Sequence, residues 1–171
     1  RVEMEQTHIS WVFLTGDTVY KIKKPVNFGF LDFSTREKRH FYCQEEVRLN
    51  KRLSPEIYLG VAPIVKAGNA LVIEGEGQPV EYAVKMRQLP REKIMKALLT
   101  QDKVEQSDVI RLAEIIADFH AKAASSPEIT REGGMDSIRQ NVEENFSQTE
   151  KYIGVSIPQR QHQETCEYAT N

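Results

Sequence analysis

Two short runs of β-branched and aromatic residues open the pattern of the chain. Residues 9–14, Ile-Ser-Trp-Val-Phe-Leu, and residues 18–23, Thr-Val-Tyr-Lys-Ile-Lys, flank Thr15-Gly16-Asp17, which predicts a β-hairpin with a tight turn. Pro25 has no N–H to give to a ladder, so the second strand is expected to end near Lys24. An apolar-lined loop, Val26 to Phe33, leads to Ser34 with Glu37 three positions on. That spacing lets each side chain satisfy a free backbone N–H at a helix start. The helix is expected over residues 35–53, with Phe41, Tyr42, Val47, Leu49 and Leu53 as its packed stripe and Ser54-Pro55 as its stop.

Three further strands are predicted at residues 58–65, 70–74 and 80–86, separated by turn-forming sets at 67–69 and 75–79. With the hairpin they make about five antiparallel strands carrying one long helix, an α+β arrangement. The composition turns helical after Leu89-Pro90. Helices are expected at 91–99 and at 107–124, where Ser107 can cap and Ile110, Ala113, Ile116, Ala117 and His120 keep helical spacing. Two more are expected near 135–151 and 158–169, after a loop at 125–134. The chain thus divides into a sheet part, 1–89, and a helical part, 90–171, without an internal repeat.

Charge and composition narrow the functional classes. The 171 residues are 40% hydrophobic and 8% aromatic, enough for a real core. Twenty-three basic and 25 acidic residues leave a net charge of -2, so no global field draws nucleic acid or anionic lipid. Apolar runs fall far short of the ~20 residues that span a bilayer, and no signal peptide opens the chain, which points to the cytoplasm. Cys43 and Cys166 lack metal-ligand companions, His8, His40 and His162 form no cluster, and no metal site is expected. His120, among Ile116 and Ala117, reads as a helix-packing residue. A start at Arg1 and an end at Asn171 read as the limits of a fragment.

The chemistry resides in a lysine strand followed by a glutamate helix, an arrangement that can hold nucleoside triphosphate phosphates. Strand alternation puts Val19, Lys21 and Lys23 on one face and Tyr20 and Ile22 on the other. Lys21 sits mid-strand. On the helix, Glu46 is in register with Leu49 and Leu53 and is expected to face the sheet, while Glu45 is turned about 100° away. Lys21 and Glu46 are therefore the candidate phosphate-positioning ion pair. For either residue taken alone, a solvated surface charge is the plainer reading.

The segments Thr7-His8-Ile9-Ser10-Trp11-Val12-Phe13-Leu14, Val19-Tyr20-Lys21-Ile22-Lys23-Lys24-Pro25-Val26 and Phe30-Leu31-Asp32-Phe33 resemble the start of the bacterial aminoglycoside phosphotransferase-like family. The likeness is to its uncharacterised branch, often fused to a P-loop ATP-binding domain. Phe41-Tyr42-Cys43, Glu46-Val47, Tyr58-Leu59-Gly60-Val61, Glu81 to Met86 and Ala117-Asp118-Phe119-His120 continue the pattern. The resemblance implies a protein-kinase-like small lobe followed by the helices of an incomplete large lobe. It implies that Lys21 contacts the α- and β-phosphates of ATP and that Glu46 pairs with it. The family is similar to ubiquinone-biosynthesis kinases, whose lysine precedes a proline by four positions as Lys21 precedes Pro25, which favours Lys21 over Lys23.

By the same resemblance, Met86, Gln88 and Leu89 belong to a linker whose backbone reads the adenine edge; the plain alternative is a strand end and an ordinary loop. The loop Gln6 to Ser10 occupies the place of a glycine-rich phosphate cover but has no glycine. Ser10 or backbone amides are candidates to touch phosphate there, with local strand-end hydrogen bonds as the alternative for Thr7 and His8.

Phosphoryl transfer also needs a base or orienting carboxylate and ligands for Mg²⁺. In the family these come from a His-Gly-Asp-type loop and a later acidic segment, and neither motif occurs in this sequence. The expectation is the nucleotide-binding part of an ATP- and Mg-dependent phosphotransferase with a small hydroxylated acceptor, inactive by itself. The alternative is a non-catalytic, pseudokinase-like binding or regulatory module. Expected partners are a nucleotide and a possible fused P-loop domain, with no nucleic acid and no membrane.

Overall fold

A computed structural model of the chain describes residues 2–170. The hairpin forms where the alternation put it: β2 (Ser10–Leu14) and β3 (Thr18–Lys23) pair antiparallel around a turn in which Gly16 takes a φ of 112°. A Cβ at that φ would be strained, so the turn depends on glycine. Beyond it come α1 (Arg36–Asn50), β4 (Tyr58–Ala67), β5 (Ala70–Ile73) and β6 (Pro79–Arg87).

The sheet has six strands, not five. The added strand is β1 (Glu3–Gln6), and the strand order is β1-β2-β3-β6-β4-β5, antiparallel throughout. Its sequence, Glu-Met-Glu-Gln, is exposed on every residue and carries no apolar alternation to announce it. Arg91 fastens this edge strand, donating to Glu3 at 3.0 Å and Glu5 at 2.7 Å.

The start of α1 is displaced by one residue from the predicted capping box. Asp32 Oδ1 accepts from the N–H of Ser34 at 2.9 Å and from its hydroxyl at 2.6 Å, so Ser34 is already engaged. Thr35 caps instead, its Oγ1 accepting the Lys38 N–H at 3.3 Å.

The packed face of α1 is also different from the expected apolar stripe. Phe41, Tyr42, Leu49 and Leu53 are exposed, whereas Arg39 and Cys43 are buried. Arg39, Cys43 and Glu46 follow helical spacing and form the inner face. They sit against a core of Val19, Phe33, Ala62, Ile64, Val65, Ala83 and Val84.

After β6, a 3₁₀ turn at Arg91–Lys93 leads to α2 (Met95–Thr100), α3 (Gln106–Ala121), α4 (Pro127–Glu132), α5 (Met135–Thr149) and α6 (Gln159–Thr170). The helix α4 falls in the span expected to be a loop; Ser126 caps it and Pro127 opens it. His120, expected to pack, is exposed. Backbone contacts group residues up to Ile115 in one compact unit and those from Ile116 in a second. Arg1 and Asn171, on which the reading of a fragment turns, lie outside the described residues. Among the described residues no helix is long and apolar enough to cross a membrane.

Candidate functional site

Strand register sets the site. Ser10, Val12 and Leu14 of β2 stand opposite Lys23, Lys21 and Val19 of β3, and Lys21 stands opposite Val84 of β6. The lysine strand is thus internal to the sheet, and α1 crosses the face on which Lys21 and Lys23 project.

Both lysines end on one carboxylate. Lys21 Nζ donates to Glu46 Oε1 at 2.8 Å and Lys23 Nζ donates to Oε2 at 2.6 Å. The side chain of Glu46 is 14% exposed, that of Lys21 27% and that of Lys23 5%. Lys23 also lies 4.8 Å from the centre of the Phe33 ring, a cation–π contact. Burial pushes the Glu46 carboxyl up, but hydrogen bonds from Lys21 and Lys23 outweigh it and leave the group below its ordinary value. One negative and two positive charges give the cluster a surplus cation in a half-buried setting, where an anion is attracted more strongly than in water.

Glu45, as its rotation on the helix suggests, faces away and pairs with Arg48 at 2.6 Å. The partnership of Lys23 with Glu46 was visible only as shared strand parity with Lys21. Proline spacing diverted the reading to one lysine where the carboxylate binds two.

A second buried charge lies one helical stretch away. Arg39 donates from Nε and Nη2 to Glu81 Oε2 at 2.8 and 2.6 Å, and from Nη1 to the carbonyl oxygens of Phe33 and Ser34 at 2.9 and 3.2 Å. It thereby holds the loop end that carries Phe33 beneath Lys23. Cys43, between these two charge clusters, is fully enclosed, and burial pushes its thiol up to about 11.

The remaining candidates are placed differently. Ser10 is completely buried, with an Oγ that has no hydrogen-bond partner among the described residues, so its hydroxyl does not face an approaching ligand. The turn before it uses its own amides. Thr7 N–H donates to Ser10 O, and Thr7 Oγ1 accepts from the N–H groups of Ile9 and Ser10 at 3.3 and 3.0 Å. Thr7 therefore makes a local strand-end structure.

Met86 is half-buried within β6, opposite Val19 and Tyr58. Gln88, expected to offer its backbone to an adenine edge, donates its N–H to Asp17 O at 2.8 Å, and its Oε1 accepts the Gly16 N–H at 2.9 Å. Those groups fasten the β2–β3 turn and are not open to a base. Leu89 is exposed. An open, largely apolar cavity of about 500 Å³ lies beside β1, lined by Ile94, Ala97, Thr100, Arg91 and Glu5 and not by the lysine cluster. No group of three or more metal-ligating side chains occurs among the described residues.

The chain is similar to mycobacterial proteins. It is 30% identical over 147 residues to Uncharacterized protein Rv2004c of Mycobacterium tuberculosis and, to the same extent, to Uncharacterized protein Mb2027c of Mycobacterium bovis. Each match covers 86% of this chain and 28% of the relative, so the chain spans 28% of the length of the curated relatives it matches. No family profile matches the chain. No solved structure matches it either.

Proposed function

We propose that the Lys21–Glu46–Lys23 cluster holds the phosphates of a nucleotide, ATP with Mg²⁺, in the small lobe of a kinase-like phosphotransferase. The observation that carries the reading is the 2.8 Å contact between a lysine on the third strand and a glutamate on the helix that follows it. Protein kinases put a phosphate-binding lysine and its glutamate partner on those two elements. The surplus positive charge supports an anionic ligand. Residues for the acceptor hydroxyl and for Mg²⁺ belong, on this reading, to other parts of the longer protein, as does any fused P-loop domain. Relatives several times the length of this chain leave room for both.

Titration of the ¹⁵N-labelled chain with magnesium-ATP tests the proposal. The expected result is chemical-shift change centred on Lys21 and Glu46, abolished by Lys21→Ala. Absence of any change at millimolar nucleotide, or binding that survives Lys21→Ala, refutes it. An acceptor-phosphorylation assay on the full-length protein then separates a phosphotransferase from a nucleotide-binding module.

A further inference from the structure

The two lysines on Glu46 are not equivalent. Lys23 is enclosed, with its ammonium 2.6 Å from Oε2 and over the Phe33 ring, while Lys21, at 2.8 Å from Oε1, is the more exposed of the two. We infer that Lys23 is a positioning residue that keeps Glu46 seated, and that Lys21 is the lysine that reaches an incoming phosphate while still paired with Glu46. The inference rests on the nucleotide reading and assigns a division of labour within it.

The reasoning follows the carboxylate. A half-buried carboxylate whose lysine partner is shared with a ligand loses part of its compensation at a desolvation cost. With a single lysine, phosphate and Glu46 draw on the same ammonium, which has three N–H groups to divide between them. A second ammonium that cannot leave keeps Glu46 compensated while Lys21 turns toward the ligand. Lys23 meets the requirement because it has almost no solvent path and because its surroundings are fixed. Phe33, beneath it, is itself buried, and Arg39 Nη1 holds the Phe33 carbonyl at 2.9 Å. Other charged groups near the cluster are committed: Arg39 to Glu81, and Glu45 to Arg48. Lys24, next along the strand, turns away to Gln6 and to the carbonyl of Thr7.

Two measurements on the same variants test the idea. The first follows the Glu46 side-chain carboxyl by ¹³C NMR during a pH titration without ligand. Lys23→Met is expected to raise the midpoint further than Lys21→Met. The second measures affinity for magnesium-ATP and for inorganic tripolyphosphate. Lys21→Met abolishes binding, while Lys23→Met weakens it about tenfold because Lys21 is now retained by Glu46. That loss shrinks on lowering the pH toward the Glu46 midpoint, which frees Lys21, and it is relieved in Lys23→Met/Glu46→Gln. Lys23→Arg, which keeps the charge, restores most of what Lys23→Met loses and serves if the methionine variant does not fold.

Equal or smaller movement of the Glu46 titration in Lys23→Met than in Lys21→Met overturns the inference. So does wild-type affinity with a wild-type pH profile in Lys23→Met. If the wild-type chain binds neither ligand, the nucleotide reading fails, and the carboxyl titration alone decides which lysine holds Glu46.

Discussion

Arg39 grips Glu81 through two nitrogens converging on one oxygen, at 2.8 and 2.6 Å, across 42 residues of chain. The pair joins the first turn of α1 to the start of β6, and the same guanidinium satisfies two loop carbonyls.

Truncating Arg39 therefore leaves the Glu81 carboxylate without its cation, with only the Tyr82 N–H still donating to it, and the Phe33 carbonyl without its side-chain donor. Arg39→Ala is expected to cost about 3 kcal/mol in urea unfolding. Arg39→Lys is expected to recover only a minor part, since a lysine cannot reproduce the fork that serves Glu81 and the loop together. A loss below about 0.5 kcal/mol would show that the pair contributes no more than a solvent-exposed one.

Acid should act through Glu46. Its carboxyl is lower in the folded chain than its ordinary 4.5, so the folded state takes up a proton less readily than the unfolded state. The stability this group contributes is complete above 4.5 and drains away as the pH falls through the lowered folded value. Glu46→Gln is accordingly expected to be less stable than wild type at neutral pH, with the gap closing as the pH is lowered. Denaturant midpoints measured between about pH 7 and pH 3 check this. Asp32, held down from its ordinary 3.8 to about 2 by Lys38 and then Ser34, adds a decline of its own as the pH falls through that range, which Glu46→Gln leaves in place.

Ser10→Ala removes a hydroxyl that is buried and has no hydrogen-bond partner among the described residues. Deleting such a group relieves a desolvation cost, so thermal unfolding should show stability unchanged or raised by up to about 1 kcal/mol. Anion affinity should also stay unchanged, in contrast to any substitution at Lys21. A marked loss of either would show that the hydroxyl is engaged.

Gly75 faces the opposite constraint. A Cβ built there meets Val65 Cγ2 at 2.6 Å and Val72 Cγ1 at 3.1 Å, and Val65 is fully buried. Gly75→Ala is expected to cost about 1–3 kcal/mol by overpacking the β4–β5 hairpin. Val65→Ala placed beside it should recover part of the loss, which double-mutant unfolding curves can measure.

The elements that the sequence announces are those whose signal is local. Alternation in β2 and β3, the glycine turn and the helical run of α1 could all be read directly, and so could the choice of Glu46 over Glu45. The reason offered for Glu46, alignment with Leu49 and Leu53, was mistaken, since both leucines are exposed. Glu46 turns inward with Arg39 and Cys43 on a stripe that apolar counting passes over, because its charges are satisfied by Lys21, Lys23 and Glu81 from distant strands. β1 was missed for a related reason: an edge strand of exposed residues is defined by its pairing to β2 and its ion pairs to Arg91, not by an apolar alternation. Gln88 was given to a ligand because nothing local indicates that the turn at Asp17 would claim its amide.

The charged inner face of α1 governs how that helix can move. A helix seated on leucines can shift by fractions of a turn and trade one apolar contact for another. One keyed by Arg39 into Glu81 and by Glu46 into two lysines has no such intermediate seats, because a small rotation would strand several charges at once. Its displacement is therefore all-or-none: the helix stays latched, or it leaves and takes the counter-charge of Lys21 and Lys23 with it.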